Sequence, residues 1–94
     1  MLIGVPKEIK NHEYRIGMVP ASVQELTSRG HQVVVETKGG AGVGFTDEDY
    51  REAGATIAET AAEIFAKADM IVKVKEPQAV ERKMLRPGQL LFTY

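Results

Sequence analysis

The sequence contains no cysteine, which excludes a disulfide framework and any thiolate metal site. It has no run of Lys or Arg, and its formal net charge is -1 at pH 7. A nucleic-acid surface needs a basic stripe, so nucleic acid is not an expected partner. No apolar stretch approaches a membrane span, and the opening Met-Leu-Ile-Gly-Val-Pro-Lys-Glu has neither the basic region nor the apolar core of a signal peptide. A soluble, cytoplasmic protein with no membrane partner is the expectation. Internal repeats, low-complexity tracts and linkers are absent as well. Ninety-four residues at 44% hydrophobic content suffice for one domain, near the lower end of sizes that bury a sizeable core.

The stretch that organises the chain is Met70-Ile71-Val72-Lys73-Val74-Lys75-Glu76-Pro77. Its β-branched residues predict a buried parallel strand, with Lys75 at the C-terminal end, the edge where open α/β sheets bind ligands. Pro77 pushes Glu76 out of the helical region and can open a helix running to Leu85. The chain starts with a strand, Leu2-Ile3-Gly4-Val5, stopped by Pro6. A polar segment from Lys7 to Val19 follows it, in the position that loops at the functional end of a sheet occupy.

Pro20, a capping-box spacing of Ser22 and Glu25, and Val19, Val23 and Leu26 on one face predict a helix that Gly30 closes. Val33 to Glu36 form the next strand. The glycines of residues 37–45 are spaced G-x-G-x-G rather than G-x-G-x-x-G, so a tight connection is expected there and not a dinucleotide fingerprint. Thr46 caps a helix whose first turn holds Asp47, Glu48 and Asp49. Adjacent helical carboxylates point apart, so they do not suggest a metal site. Gly54 ends that helix. Thr60 and Glu63 cap another, whose apolar stripe is Ala61, Ile64, Phe65 and Ala68. Gln89 to Tyr94 read as a last strand.

The order β-α-β-α-α-β-α-β predicts an α/β fold: a Rossmann-like or flavodoxin-like parallel sheet of about four strands with helices on both faces. A sheet that stops on a strand leaves an edge uncovered. The chain is therefore expected to be the N-terminal part of something longer.

Gly4-Val5-Pro6-Lys7-Glu8-Ile9-Lys10-Asn11-His12-Glu13-Tyr14-Arg15, Pro20-Ala21-Ser22-Val23 and Leu26 through Gly30 resemble the N-terminal signature of the alanine dehydrogenases and nicotinamide nucleotide transhydrogenases. Val72 through Pro77 and Leu91-Phe92-Thr93-Tyr94 resemble the alanine dehydrogenase branch. His12, Ile16-Gly17 and Val19 depart from the joint pattern, which more often has Asn, Val-Ala and Ser or Thr there. The resemblance implies that residues 1–94 are the N-terminal part of a catalytic, substrate-binding domain, with the NAD-binding domain outside this chain. It implies NAD as cofactor, L-alanine and pyruvate as substrates, the rest of the enzyme chain as partner, and a homo-oligomer, hexameric in the family.

By the same resemblance Arg15 grips the substrate carboxylate, as a planar guanidinium fork does well. Lys75 contacts a substrate oxygen, a catalytic cation placed where negative charge develops. Two cations converging predict an anion between them; both sealed by internal carboxylates, with Arg15 turned away, would count against the site. On the residues alone, Arg15 reads as a salt bridge to Glu8, Glu13 or Glu76 and Lys75 as a solvated strand-end lysine. The family's acid/base histidine lies beyond Tyr94, and neither His12 nor His31 matches it, so this chain alone is expected not to turn over. A transhydrogenase alpha-subunit segment and a non-catalytic flavodoxin-like interaction module are the alternative readings.

Overall fold

The computed structural model describes residues 1–10 and 12–93; the expectations for Asn11 and Tyr94 lie outside the described residues. Five strands, β1 (Leu2–Val5), β2 (Gln32–Glu36), β3 (Thr56–Ala58), β4 (Met70–Lys73) and β5 (Leu90–Thr93), form a parallel sheet in the order β3-β2-β1-β4-β5. The helices are α1 (Pro20–Thr27), α2 (Asp47–Glu52), α3 (Ala61–Lys67) and α4 (Ala79–Arg82), with a 3-10 turn at Ala41–Val43. Among the described residues, no helix is long and apolar enough to cross a membrane.

The fold class is the expected one, and the described residues form five strands rather than about four. The added strand, β3, pairs Thr56, Ile57 and Ala58 with Val34, Val35 and Glu36. So short a segment has no periodicity of its own and becomes a strand because β2 offers it a ladder.

Helices cover both faces and give two cores. Val23 of α1 and Tyr50 of α2 pack with Ile3, Val5, Val33 and Val35 on one face. Ile64, Phe65 and Ala68 pack with Val34 and Ile71 on the other. Each fully buried Ile or Phe side chain there contributes roughly 1.5–3 kcal/mol of transfer free energy.

Thr46 and Thr60 cap their helices as expected, accepting from the amides of Asp49 and Glu63. The carboxylates of α2 separate as expected too. Asp47 accepts from Thr37 and the Lys38 amide, Asp49 from the Thr46 amide, and Glu48 pairs with Arg51. At α1 the start at Pro20 is the expected one but the expected capping box is absent, and at α4 the start itself differs. At α1, Pro20 is the first helical residue and Val19 the N-cap, without a side-chain cap. Ser22 therefore lies inside the first turn, and Glu25 pairs with Arg29 at 2.6 Å instead. At α4 the N-cap is Gln78, whose amide donates to Glu81 at 2.9 Å, so the helix is Ala79–Arg82 rather than 77–85.

Residues 37–45 are a tight connection. A side chain at Gly42 would meet the Tyr14 carbonyl oxygen at 2.7 Å, and Gly44 has φ 87°. The glycines thus let this loop lie directly against the segment carrying Arg15.

A candidate carboxylate cradle at the sheet's switch point

The chain moves from β1 to β2 to β3 on one side and then returns to β4, so the winding of the parallel sheet reverses between β1 and β4. That reversal opens a crevice outside the strands' carboxyl ends. The loop after β1 carries Glu8, Glu13 and Arg15, while the turn after β4 carries Lys75 and Glu76. Far apart in sequence, the two segments meet at this crevice.

Arg15 is 63% exposed and forks onto the carboxylate of Glu13, whose side chain is 5% exposed. Its Nε donates to Oε2 and its Nη2 to Oε1, both at 2.9 Å, and its backbone amide donates to Oε2 at 2.9 Å. Lys75 Nζ lies 3.9 Å from the same Oε1. The Arg15 hydrogen bonds hold the Glu13 carboxyl down at about 2, with Lys75 a smaller contribution. Reciprocally, Glu13 raises the Arg15 guanidinium further. The two expected site cations do converge, and the anion between them belongs to the protein. Glu13 was among the salt-bridge partners that the purely structural reading offered. Both Nη1 hydrogens and the second Nη2 hydrogen of Arg15 are not used by Glu13, because a guanidinium carries five N–H donors.

Arg15 stands between two clefts. One of about 250 Å³, with charged side chains at its wall, is lined by Lys7, Glu8, Glu13 and Gly42 among others. An apolar one of about 370 Å³ is lined by Ile16, Val19, Val43 and Val74.

Beneath the cradle lies a buried ion cluster that sequence reading missed. Lys73, 1% exposed, lies 3.0 Å from Glu8 Oε1 and 3.0 Å from Glu81 Oε2, and both of those side chains are buried. The Glu81 contact is an ion pair without hydrogen-bond alignment. Glu8 also accepts from the amides of Val74 at 3.0 Å and Lys75 at 3.3 Å. The available signal was Lys73 itself, a charge within an apolar strand run, which must find a partner when buried. An exposed Lys10 to Glu76 bridge at 2.7 Å joins the two segments again, and it lowers the Glu76 carboxyl.

His12 is exposed, with Nδ1 3.4 Å from the Tyr14 hydroxyl, and His31 immediately precedes β2. Neither enters the cradle. The glycine loop is filled by contacts with Tyr14 and Tyr50, which does not suit a pyrophosphate.

Residues 4–94 match the family described as "Alanine dehydrogenase/PNT, N-terminal domain". The chain belongs to this family. It is 51% identical over all 94 residues to the alanine dehydrogenase of Halomonas elongata and 52% identical to that of Methanococcus maripaludis. It spans 25% of the length of each. Among solved structures, an L-alanine dehydrogenase superposes with a TM-score of 0.96 at 50% identity, covering 100% of this chain and 26% of that one. A transhydrogenase from Sinorhizobium meliloti gives 0.92 at 35%, covering 99% and 26%. Within the family, the higher identities are to alanine dehydrogenases, and the transhydrogenase is the weaker alternative.

Proposed function

We propose that this chain is the N-terminal part of the catalytic domain of an NAD-dependent L-alanine dehydrogenase, the enzyme that interconverts L-alanine with pyruvate and ammonia. The observation that carries the reading is the cradle: a guanidinium already forked on a carboxylate, with an ammonium 3.9 Å from the same oxygen. Arg15 uses its remaining donors to hold the substrate carboxylate, a bidentate match of planar groups. Lys75 faces a substrate oxygen and stabilises the negative charge that grows there as the carbonyl carbon becomes tetrahedral. The apolar cleft beside Arg15 offers the substrate methyl group an apolar wall.

NAD supplies the hydride acceptor when bound. The glycine loop described above does not fit it, so the cofactor belongs to another part of the whole protein, as does the acid/base group. A cytoplasmic homo-oligomer is part of the same reading.

The test is a titration of the 94-residue chain with pyruvate, followed by backbone amide NMR, beside Arg15→Ala. Saturable shifts at residues 12–16 and 73–77, lost in the variant, are expected. A well-dispersed spectrum that pyruvate leaves unchanged overturns the cradle assignment. Alanine-dependent NAD reduction by the purified chain is expected to be absent.

A further inference from the structure

Among the described residues, the strand ladder does not extend to the turn from which Lys75 projects. The register between β4 and β5 ends at Lys73 with Thr93, and α4 begins only at Ala79. The turn is instead gripped from both ends by two buried carboxylates. Glu8 takes the amides of Val74 and Lys75, while Glu81 takes the amide of Gln78 at 2.9 Å. Each carboxylate has its remaining charge on one ammonium, that of Lys73, at 3.0 Å from both.

We propose that Lys73 is the positioning residue of the cradle: by joining Glu8 to Glu81 it sets the turn that presents Lys75, and it ties that turn to the loop carrying Arg15. This rests on the reading of Arg15 and Lys75 as the substrate cradle. A role in stability alone explains the cluster poorly, since apolar residues of similar volume usually do as well as a buried ion group. What apolar residues could not do is accept three turn amides. Glu8 lies on the same loop as Arg15, so one side chain fixes the distance between the two substrate cations. Misplacement of a substrate-holding group by about 1 Å can cost up to about a hundredfold.

Deleting Lys73 alone leaves two buried carboxylates facing each other, which threatens the fold. The informative variant is Lys73→Met combined with Glu81→Gln. It preserves the cluster's net charge, because one cation and one anion leave together. Amide hydrogen exchange and pyruvate titration are run on the unsubstituted chain and on this double variant.

Exchange at Val74 and Lys75 is expected to quicken at least tenfold, while Val33 to Val35 in β2 keep their protection. Pyruvate affinity is expected to fall by about tenfold or more. Unchanged exchange at Val74 and Lys75 overturns the proposal, as does unchanged affinity despite a loosened turn. Loss of protection across β2 as well makes Lys73 a residue of the whole fold and overturns it equally. Failure of the unsubstituted chain to bind pyruvate instead refutes the cradle reading, and the exchange comparison still decides what Lys73 does to the turn.

Discussion

Replacing Glu8 by alanine should be among the most damaging single changes in this chain. The side chain is buried, and its carboxylate meets Lys73 Nζ at 3.0 Å, the Val74 amide at 3.0 Å and the Lys75 amide at 3.3 Å. Removing one partner of a buried ion pair costs about 3–5 kcal/mol, because the other charge stays behind. Glu81 remains 3.0 Å from the ammonium, so the low end, about 3 kcal/mol, applies here. An amide left dry and unpaired adds about 1–3 kcal/mol. Val74 is 7% exposed and bears this cost, whereas water reaches the half-buried Lys75.

The total is about 4–6 kcal/mol. A domain of this length is worth about 5–14 kcal/mol altogether, so the variant sits near the edge of folding. At about 4–8 °C per kcal/mol, its Tm falls by about 16–48 °C. Urea unfolding followed by far-UV circular dichroism measures the loss directly. Glu8→Gln, which keeps the volume and an acceptor oxygen, should lose less. A loss below about 1 kcal/mol for Glu8→Ala, with an unchanged m-value, would refute the view that this carboxylate holds the two segments together.

Gly4→Ala drives a Cβ into Ile64 Cγ2 and places it 2.8 Å from Ala68 Cβ; overpacking of this kind should cost about 1–3 kcal/mol, read as a lower urea midpoint. Tyr50 donates to the Met18 carbonyl at 2.8 Å, and burial pushes its hydroxyl up to about 12. Its absorbance titration should therefore centre near 12, stability should fall as pH rises above 10, and Tyr50→Phe should lose about 0.5–1.5 kcal/mol and that pH dependence together. Burial raises the Glu36 carboxyl, outweighing the hydrogen bond it accepts from the Lys7 amide at 2.8 Å. Folding thus disfavours its charge, so Glu36→Gln should raise Tm at pH 7 and make no difference at a pH where both forms are neutral. Glu13 has the opposite sign. Held down at about 2, it contributes stability above pH 4.5 that disappears as pH falls towards 2, and its side-chain carbon resonance should titrate with a midpoint near 2.

What the sequence disclosed follows from the range of the forces involved. Thr46 and Thr60 were legible as caps because a cap is settled within a few residues. The helices' apolar faces were legible for the same reason. β3 was not, since Thr56 to Ala58 owe their extension to β2. Ser22 was misleading as a cap: its spacing from Glu25 fits a capping box, but the helix already starts at Pro20, whose fixed φ suits a first helical position. In the cradle, Arg15 and Lys75 were found by resemblance. Glu13 entered only as a candidate salt-bridge partner, and the Lys73 cluster was not seen. Lys73 and Glu8 are 65 positions apart, and no local pattern links them; only the charge inside an apolar strand run hinted that a partner existed.

The strand order explains why such distant residues share one site. Had β4 been added beyond β3, the loop after β1 and the turn after β4 would lie at different places along the sheet edge, and Glu8 could not reach the amides of both Val74 and Lys75. Because the chain returns across the sheet before laying down β4, β1 and β4 become neighbours, with Ile3 opposite Met70 and Gly4 opposite Ile71. Their carboxyl ends then point into one crevice. Two cations brought there repel each other, and Glu13 between them offsets that repulsion while leaving most of Arg15 exposed. The buried cluster below does the same for the turn amides. The topology creates the meeting place, and the three carboxylates Glu8, Glu13 and Glu81 let positive groups be held there in the absence of substrate.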